Sequence, residues 1–258
     1  ANLYARKTKY DNKNISNYVT DSYGGTLGFS YPIDETKSLS AGLNLDRTAI
    51  KAGRYLAVSN YDYLVENGSV DTSKDNQGIP SFESEGFNTY GLNLGWNMNT
   101  LNRGRFPTKG MSHNVNLNIA FGDVTYQKMV YQGNYYHPFY KNTVLRGYTK
   151  LGYGNDLPFW ENFFAGGYGS VRGYENSTLG PTSNRYYTSY INNGVDPYPE
   201  EIGGNALAQV GTELILPMPF KGDWAEQIRP VLFVEGAQVF DTTNKYDKTI
   251  AVDGKQVP

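Results

Sequence analysis

Residues able to do covalent or metal chemistry are few in this sequence. It has two histidines and no cysteine in 258 residues. A catalytic imidazole needs a positioned nucleophile and an orienting acid. His113 and His137 fall on separate expected strands, and no Gly-x-Ser-x-Gly turn surrounds Ser170. Both histidines therefore read as interface or turn residues. Without cysteine there is no disulfide framework and no thiolate metal site. The acidic stretches Asp71 to Asp75 and Glu83 to Glu85 lack the spacing and glycine of an EF-hand loop, so they read as solvated loop. The expectation is no catalytic residue, no metal, no cofactor and no enzyme activity. One charge stands out. Arg172 sits among Gly166, Gly167, Gly169 and Gly173. A guanidinium is a rigid fork of donors suited to carboxylates. A lone loop arginine is ordinarily solvated, but glycines on both sides permit a compact loop with close backbone approach.

The elements that would have to position that arginine alternate with a period of two, the mark of strands with unlike faces. From Tyr90 to Met98 the even positions are apolar or aromatic and the odd ones are Gly or Asn. In Asn114 to Phe121 the odd positions are apolar. Leu27, Phe29 and Tyr31 alternate with Gly28 and Ser30, and Leu39, Ala41, Leu43 and Leu45 with Ser40, Gly42 and Asn44. In Leu145 to Leu151, Arg146 and Lys150 share a face with Tyr148.

The polar face separates two architectures. A soluble sandwich buries its apolar face and usually carries charge outside. Here the polar face is mostly Asn, Gly, Ser and Tyr with isolated ions, which suits the wet, crowded lumen of a barrel whose apolar face meets lipid. Composition agrees. Mean hydropathy of -0.56 and the lack of any run of roughly 20 apolar residues exclude a transmembrane helix but not barrel strands. The 23 tyrosines suit positions that are apolar on one side and wet on the other. A net charge of -2 gives no case for nucleic acid as a partner.

Nine strands are expected, near residues 1–10, 20–31, 38–50, 88–99, 112–122, 126–138, 143–154, 204–216 and 228–240. Short connections include Pro32 to Lys37 and Pro138 to Asn142. Residues 51–87 and 155–203 are long loops separated by four strands, so both should emerge on one side. Short turns on one side and long loops outside the cell are the usual asymmetry of outer-membrane barrels. Tyr10, Tyr18, Tyr23, Tyr61 and Tyr63 read as girdle or loop aromatics. The run Asp253 to Pro258 reads as polar loop rather than strand. No signal or transit peptide opens the chain, as expected of a mature protein or a fragment.

Three stretches carry a family resemblance. The first is Phe164-Ala165-Gly166-Gly167-Tyr168-Gly169-Ser170-Val171-Arg172-Gly173-Tyr174-Glu175, with Pro158 to Phe163 before it and Asn176 to Pro181 after it. It resembles the Val-Arg-Gly-aromatic signature of the BamA-type barrels. The second, Asn99 to Gly110, resembles a periplasmic turn of that family. The third, Gly203 to Pro217, resembles its strand after the signature loop. The matches run in family order over nearly the whole chain. The resemblance implies an all-β, antiparallel transmembrane β-barrel of the outer-membrane type in the bacterial outer membrane. It implies that the signature loop (Val171, Arg172, Gly173, Tyr174) folds back into the lumen and that Arg172 meets carboxylates on the next two strands, at Glu213 and Glu235. Alternation is consistent with this: with Glu213 inward, Gln209 and Gly211 also face in, while Val210, Thr212, Leu214 and Leu216 face lipid; with Glu235 inward, Leu232 and Val234 face out. The family more often has Asp where Glu235 stands, so the longer side chain is expected to shift or loosen that contact.

The family barrel has roughly sixteen strands, so residues 1–258 are expected to form one partial barrel domain of about nine strands, truncated at both ends. Nine antiparallel strands cannot close as an up-and-down ring, which would leave unpaired edges. The implied function is the barrel portion of an insertase that folds and inserts outer-membrane proteins. Its implied partners are nascent barrel proteins, assembly lipoproteins and the lipid bilayer. The alternative is a pore, either a polypeptide secretor of the two-partner type, which shares the signature loop, or a passive channel.

Overall fold

The computed structural model describes residues 2–6, 18–52, 56–67, 86–185, 199–218, 220, 228–243, 250–252 and 255–257. The strands are β1 (Asn2–Arg6), β2 (Tyr18–Pro32), β3 (Lys37–Ala52), β4 (Phe87–Asn99), β5 (Gly110–Gly122), β6 (Tyr126–Tyr140), β7 (Thr143–Asn155), β8 (Thr182–Ser183), β9 (Glu200–Glu201), β10 (Ala206–Ile215), β11 (Val231–Phe240), β12 (Ile250–Val252) and β13 (Lys255–Val257). One helix, α1 (Val58–Glu66), and a 3-10 turn at Phe159–Glu161 complete the set among the described residues. Nine strands form one antiparallel sheet in the order β1-β2-β3-β4-β5-β6-β7-β10-β11, with β1 and β11 at its edges. These are the nine strands that alternation marks out. Residues 7–10 of the first lie outside the described residues, as do Tyr10, Asp71 to Asp75 and Glu83 to Glu85.

Register turns the period of two into two continuous faces. On one face Phe29, Ala41, Leu94, Leu117, Met129, Tyr153, Ala206 and Phe240 are successive partners across eight strands. On the other, Gly28, Gly42, Asn93, Asn118, Lys128 and Gly154 are partners. The apolar face is the open one: Phe29 is 73% exposed and Val234 80%. Sandwich sheets bury such rows against a second sheet, whereas a barrel wall turns them to lipid. The buried residues lie elsewhere. Ile50, Leu56, Leu64, Phe87, Tyr126, Leu157, Phe159 and Phe163 form a dry cluster on the inner side, at the end where the long loops leave the sheet.

Turn chemistry fixes the other end. Between β4 and β5 the Asn102 side chain accepts from the Thr108 and Lys109 N–H groups and donates to the Thr108 hydroxyl. Gly110, at φ +107°, lies so close to the Thr100 carbonyl that a Cβ would sit 2.2 Å from it. Between β2 and β3, Asp34 accepts from the Thr36 N–H and hydroxyl and from Lys37.

Three expectations need correction. β6 does not stop at Pro138 but runs to Tyr140 through a register shift, leaving a two-residue turn at Lys141 and Asn142. Their φ values of 37° and 65° are those of a tight hairpin turn matched to strand twist. β13 lies within the run expected to be loop and pairs with β12. α1 lies in the connection expected to be irregular. It has nine residues and no side-chain N-cap, so it lacks the usual sequence signals, and packing of Val58 and Leu64 supplies its stability.

Candidate functional site: a loop-borne arginine inside the sheet

After β7 the chain turns at Asp156 and folds onto the inner face, burying Leu157, Phe159 and Phe163. Phe163 and Gly204 exchange backbone hydrogen bonds of 2.8 and 3.0 Å, and the Asn162 amide donates to the Ile202 carbonyl at 2.9 Å. The signature loop follows. Gly166, Gly167, Gly169 and Gly173 all have positive φ, between 84° and 111°. At Gly167 the requirement is also steric, since a Cβ would lie 1.8 Å from Asn176 Oδ1. Gln209 of β10 donates to the Ser170 carbonyl at 2.8 Å, and Val171 is buried beside it. These contacts deliver the next residue, Arg172, to the inner face of β10 and β11.

There Arg172 Nη2 donates to Glu213 Oε1 at 2.7 Å. It also grips Glu235 with both sides of its fork, Nε to Oε1 at 2.9 Å and Nη2 to Oε2 at 2.7 Å. Its own backbone N–H donates to Glu235 Oε1 as well. The guanidinium lies 3.6 Å from the ring centre of Phe233, a cation–π stack that Lys could not match in shape. The contact with Glu235 is thus the fuller of the two, not the looser. The extra methylene carries the carboxylate to both the side chain and the main chain of Arg172.

The cluster extends further. Arg146 of β7 donates to Glu213 Oε2 at 2.8 Å and to Asn134 Oδ1 at 2.7 and 3.2 Å. The Tyr148 hydroxyl donates to Glu235. Gly211 makes room for the Tyr148 ring, whose nearest atom would lie 2.3 Å from a Cβ there. Two arginines thus meet two carboxylates whose side chains are 9% and 3% exposed. Buried charge is tolerable only when paired and hydrogen-bonded, and here every carboxylate oxygen has a donor. Arg146, Tyr148, Asn134 and Phe233 are absent from the sequence-based set. Alternation had placed Arg146 and Tyr148 on one face. The missing step was register, which sets Arg146 opposite Glu213 and Tyr148 opposite Gly211. Gly173 and Tyr174 lie outside the cluster, with Tyr174 exposed.

A second assembly packs on the same inner face, toward the end where the long connections leave the sheet. Lys128 of β6 donates to the Glu161 carbonyl at 2.7 Å and carboxylate at 2.9 Å, and lies 4.9 Å from the Phe163 ring centre. Phe159 packs edge-on against Tyr18, Tyr63 and Trp160 at 4.8, 5.7 and 5.0 Å. Tyr18, Tyr61 and Tyr63 therefore pack on the buried cluster rather than in a girdle; Tyr23 is the one exposed on the outer face. The two long connections meet here: the Val58 N–H donates to the Asn184 carbonyl at 2.8 Å, and Ala57 bridges Arg185. His113 and His137 both lie on the outer face, stacked on Tyr131 and Tyr135.

The inward-folded loop and its arginine, clamped by carboxylates on β10 and β11, sit in a chain that matches a known family over nearly its whole length. Residues 1–255 match the model of the Omp85 superfamily domain. The chain belongs to the Omp85 superfamily. This Omp85 chain is 30% identical over 94% of its length to the outer membrane protein assembly factor BamA of Neisseria meningitidis, and 24% identical over 78% to BamA of Nitratidesulfovibrio vulgaris. It spans 29% and 23% of those proteins. The crystal structure of Haemophilus ducreyi BamA lacking POTRA domains 1–3 superposes with a TM-score of 0.78 at 26% identity, covering 98% of this chain and 48% of that one. The nine strands are therefore part of an outer-membrane β-barrel of Gram-negative bacteria, and the open sheet is an arc of its wall.

Proposed function

We propose that this Omp85 chain is the barrel portion of an insertase that folds and inserts other β-barrel proteins into the outer membrane. The observation that carries the proposal is the clamped Arg172 in a chain similar throughout to BamA. In this reading the work is mechanical rather than covalent. The clamp and the plug hold the interior rigid, so the wall can perturb the bilayer and guide strand addition at a seam. The partners are nascent outer-membrane β-barrel proteins, and assembly lipoproteins dock on the full-length protein. The long connections, meeting over the interior, face outside the cell. Phe159 and its neighbours pack on the inner face, where a passive channel would leave the wall to water, and this favours the insertase reading over the channel.

Complementation tests it. Cells depleted of the native protein are supplied with the full-length protein carrying Arg172→Ala, and folded outer-membrane barrels are followed by heat-modifiable mobility. A fall in several unrelated barrels is expected. Normal barrel levels with loss of one secreted polypeptide would favour the secretor instead.

A further inference from the structure

The outer wall is not uniform. Two adjacent rows on its apolar face carry runs of glycine, threonine and valine. Gly133, Thr149, Val210 and Gly236 are successive partners in one row, and Gly147, Thr212 and Val234 in the next. Together they open a hollow of about 680 Å³, within the roughly 300–1,000 Å³ of small-molecule sites. It lies in the half of the wall nearer the short turns: Gly147 is the fifth residue of β7 and Val234 the fourth of β11.

Two of its glycines have no backbone reason to be glycine. Neither Gly147 nor Gly236 has positive φ, and a Cβ at either would meet nothing within 4 Å. Glycine weakens a strand, and a lipid-facing position ordinarily takes an aliphatic. What these glycines leave is space. At one edge Tyr131 and His113 are joined by a 2.8 Å hydrogen bond between the hydroxyl and Nδ1. A neutral imidazole and a phenol have two polar hydrogens between them. Their mutual bond uses one, so one donor remains for an oxygen acceptor in either tautomer.

We propose that this hollow is a binding site for one glycerophospholipid of the leaflet on the short-turn side. One acyl chain lies over Gly147 and Gly236, and an ester oxygen accepts from the Tyr131–His113 pair. The hollow is continuous with the lipid-facing wall, so an acyl chain already covers its margins. The inference rests on the wall facing lipid, and Leu43 and Leu45, exposed at 58% each on β3, report that separately.

The test places the full-length protein in nanodiscs containing phosphatidylethanolamine with a photoactivatable acyl chain and maps the adducts. Expected is labelling of Val210 and Val234 several-fold above that of Leu43 and Leu45, falling to wall level in Gly147→Leu/Gly236→Leu. Tyr131→Phe should weaken the enrichment and leave the wall labelling unchanged. Equal labelling along the wall, or enrichment that survives filling, overturns the site. Labelling of the hollow below the wall would mean that protein covers it, and also overturns it. Absence of label on Leu43 and Leu45 would instead overturn the lipid-facing reading itself.

Discussion

Arg172 holds its place through many contacts, so single deletions should be unequal and non-additive. Arg172→Ala leaves buried Glu235 with the Tyr148 hydroxyl as its only side-chain donor and Glu213 with only Arg146. A cost of about 3 kcal/mol is expected, the low end of the roughly 3–5 for orphaning a buried charge, since the arginine side chain is 30% exposed. In detergent, double-mutant cycles should give a larger coupling for Arg172 with Glu235 than with Glu213, because Glu235 binds the fork twice and Glu213 divides itself between two arginines. Equal couplings would contradict the bidentate geometry. Glu235→Asp should weaken stability, since withdrawing the carboxylate by one methylene must break either the backbone or the fork contact. In the sequence, the Arg172 partners are legible only through the family resemblance; alternation puts each carboxylate on a face but not opposite a particular cation. Arg146 went unseen because cross-strand pairing is a property of register, and a one-residue slip would move it to the other face.

Asp34 gives a pH-dependent prediction at the same scale. Hydrogen bonds from the Thr36 hydroxyl, then the Thr36 N–H and Lys37, hold its carboxyl down to about 2. A carboxylate lowered in the folded state stabilises above its unfolded pKa of roughly 4, and the contribution is lost as pH falls through the folded value. Asp34→Asn should therefore melt lower than the native protein at neutral pH, with the gap closing between about pH 4 and about pH 2. A gap that persists at the acid limit would mean that the turn is held by shape alone.

Strands, by contrast, were readable one by one. Tyr90 to Met98 alternates without a fault and forms β4, because only a half-wet, half-apolar wall needs that pattern. Outside the signature loop the long connections are not readable, since their order comes from contacts with the wall and with each other. α1 and the Phe159–Glu161 turn have little local drive and are held by the inner cluster. Phe159→Ala should accordingly cost roughly 3–5 kcal/mol of local packing, seen as faster hydrogen exchange in α1 and residues 156–165 with β4 to β7 unchanged. Exchange rising equally in those strands would show that plug and wall unfold as one unit. Gly154→Val should release the same loop by another route, because a Cβ there would lie 2.4 Å from Leu157.

For the whole molecule, the sheet is a wall with lipid on one side and, on the other, a charged face on which the loops pack. The fully buried side chains, Phe159, Ile50, Leu56 and Leu64 among them, gather under the loops rather than between two sheets. Two opposed environments on one layer of backbone make a direct measurement available. Spin labels are placed singly at positions 91 to 98 of β4 in the full-length protein in lipid, and collision with oxygen is compared with collision with a water-soluble nickel chelate. Labels at 92, 94, 96 and 98 should favour oxygen and those at 91, 93, 95 and 97 should not, a sawtooth of period two. A flat profile, or even positions shielded from both reagents, would mean that the apolar rows pack against protein, and the lipid-facing wall would be wrong.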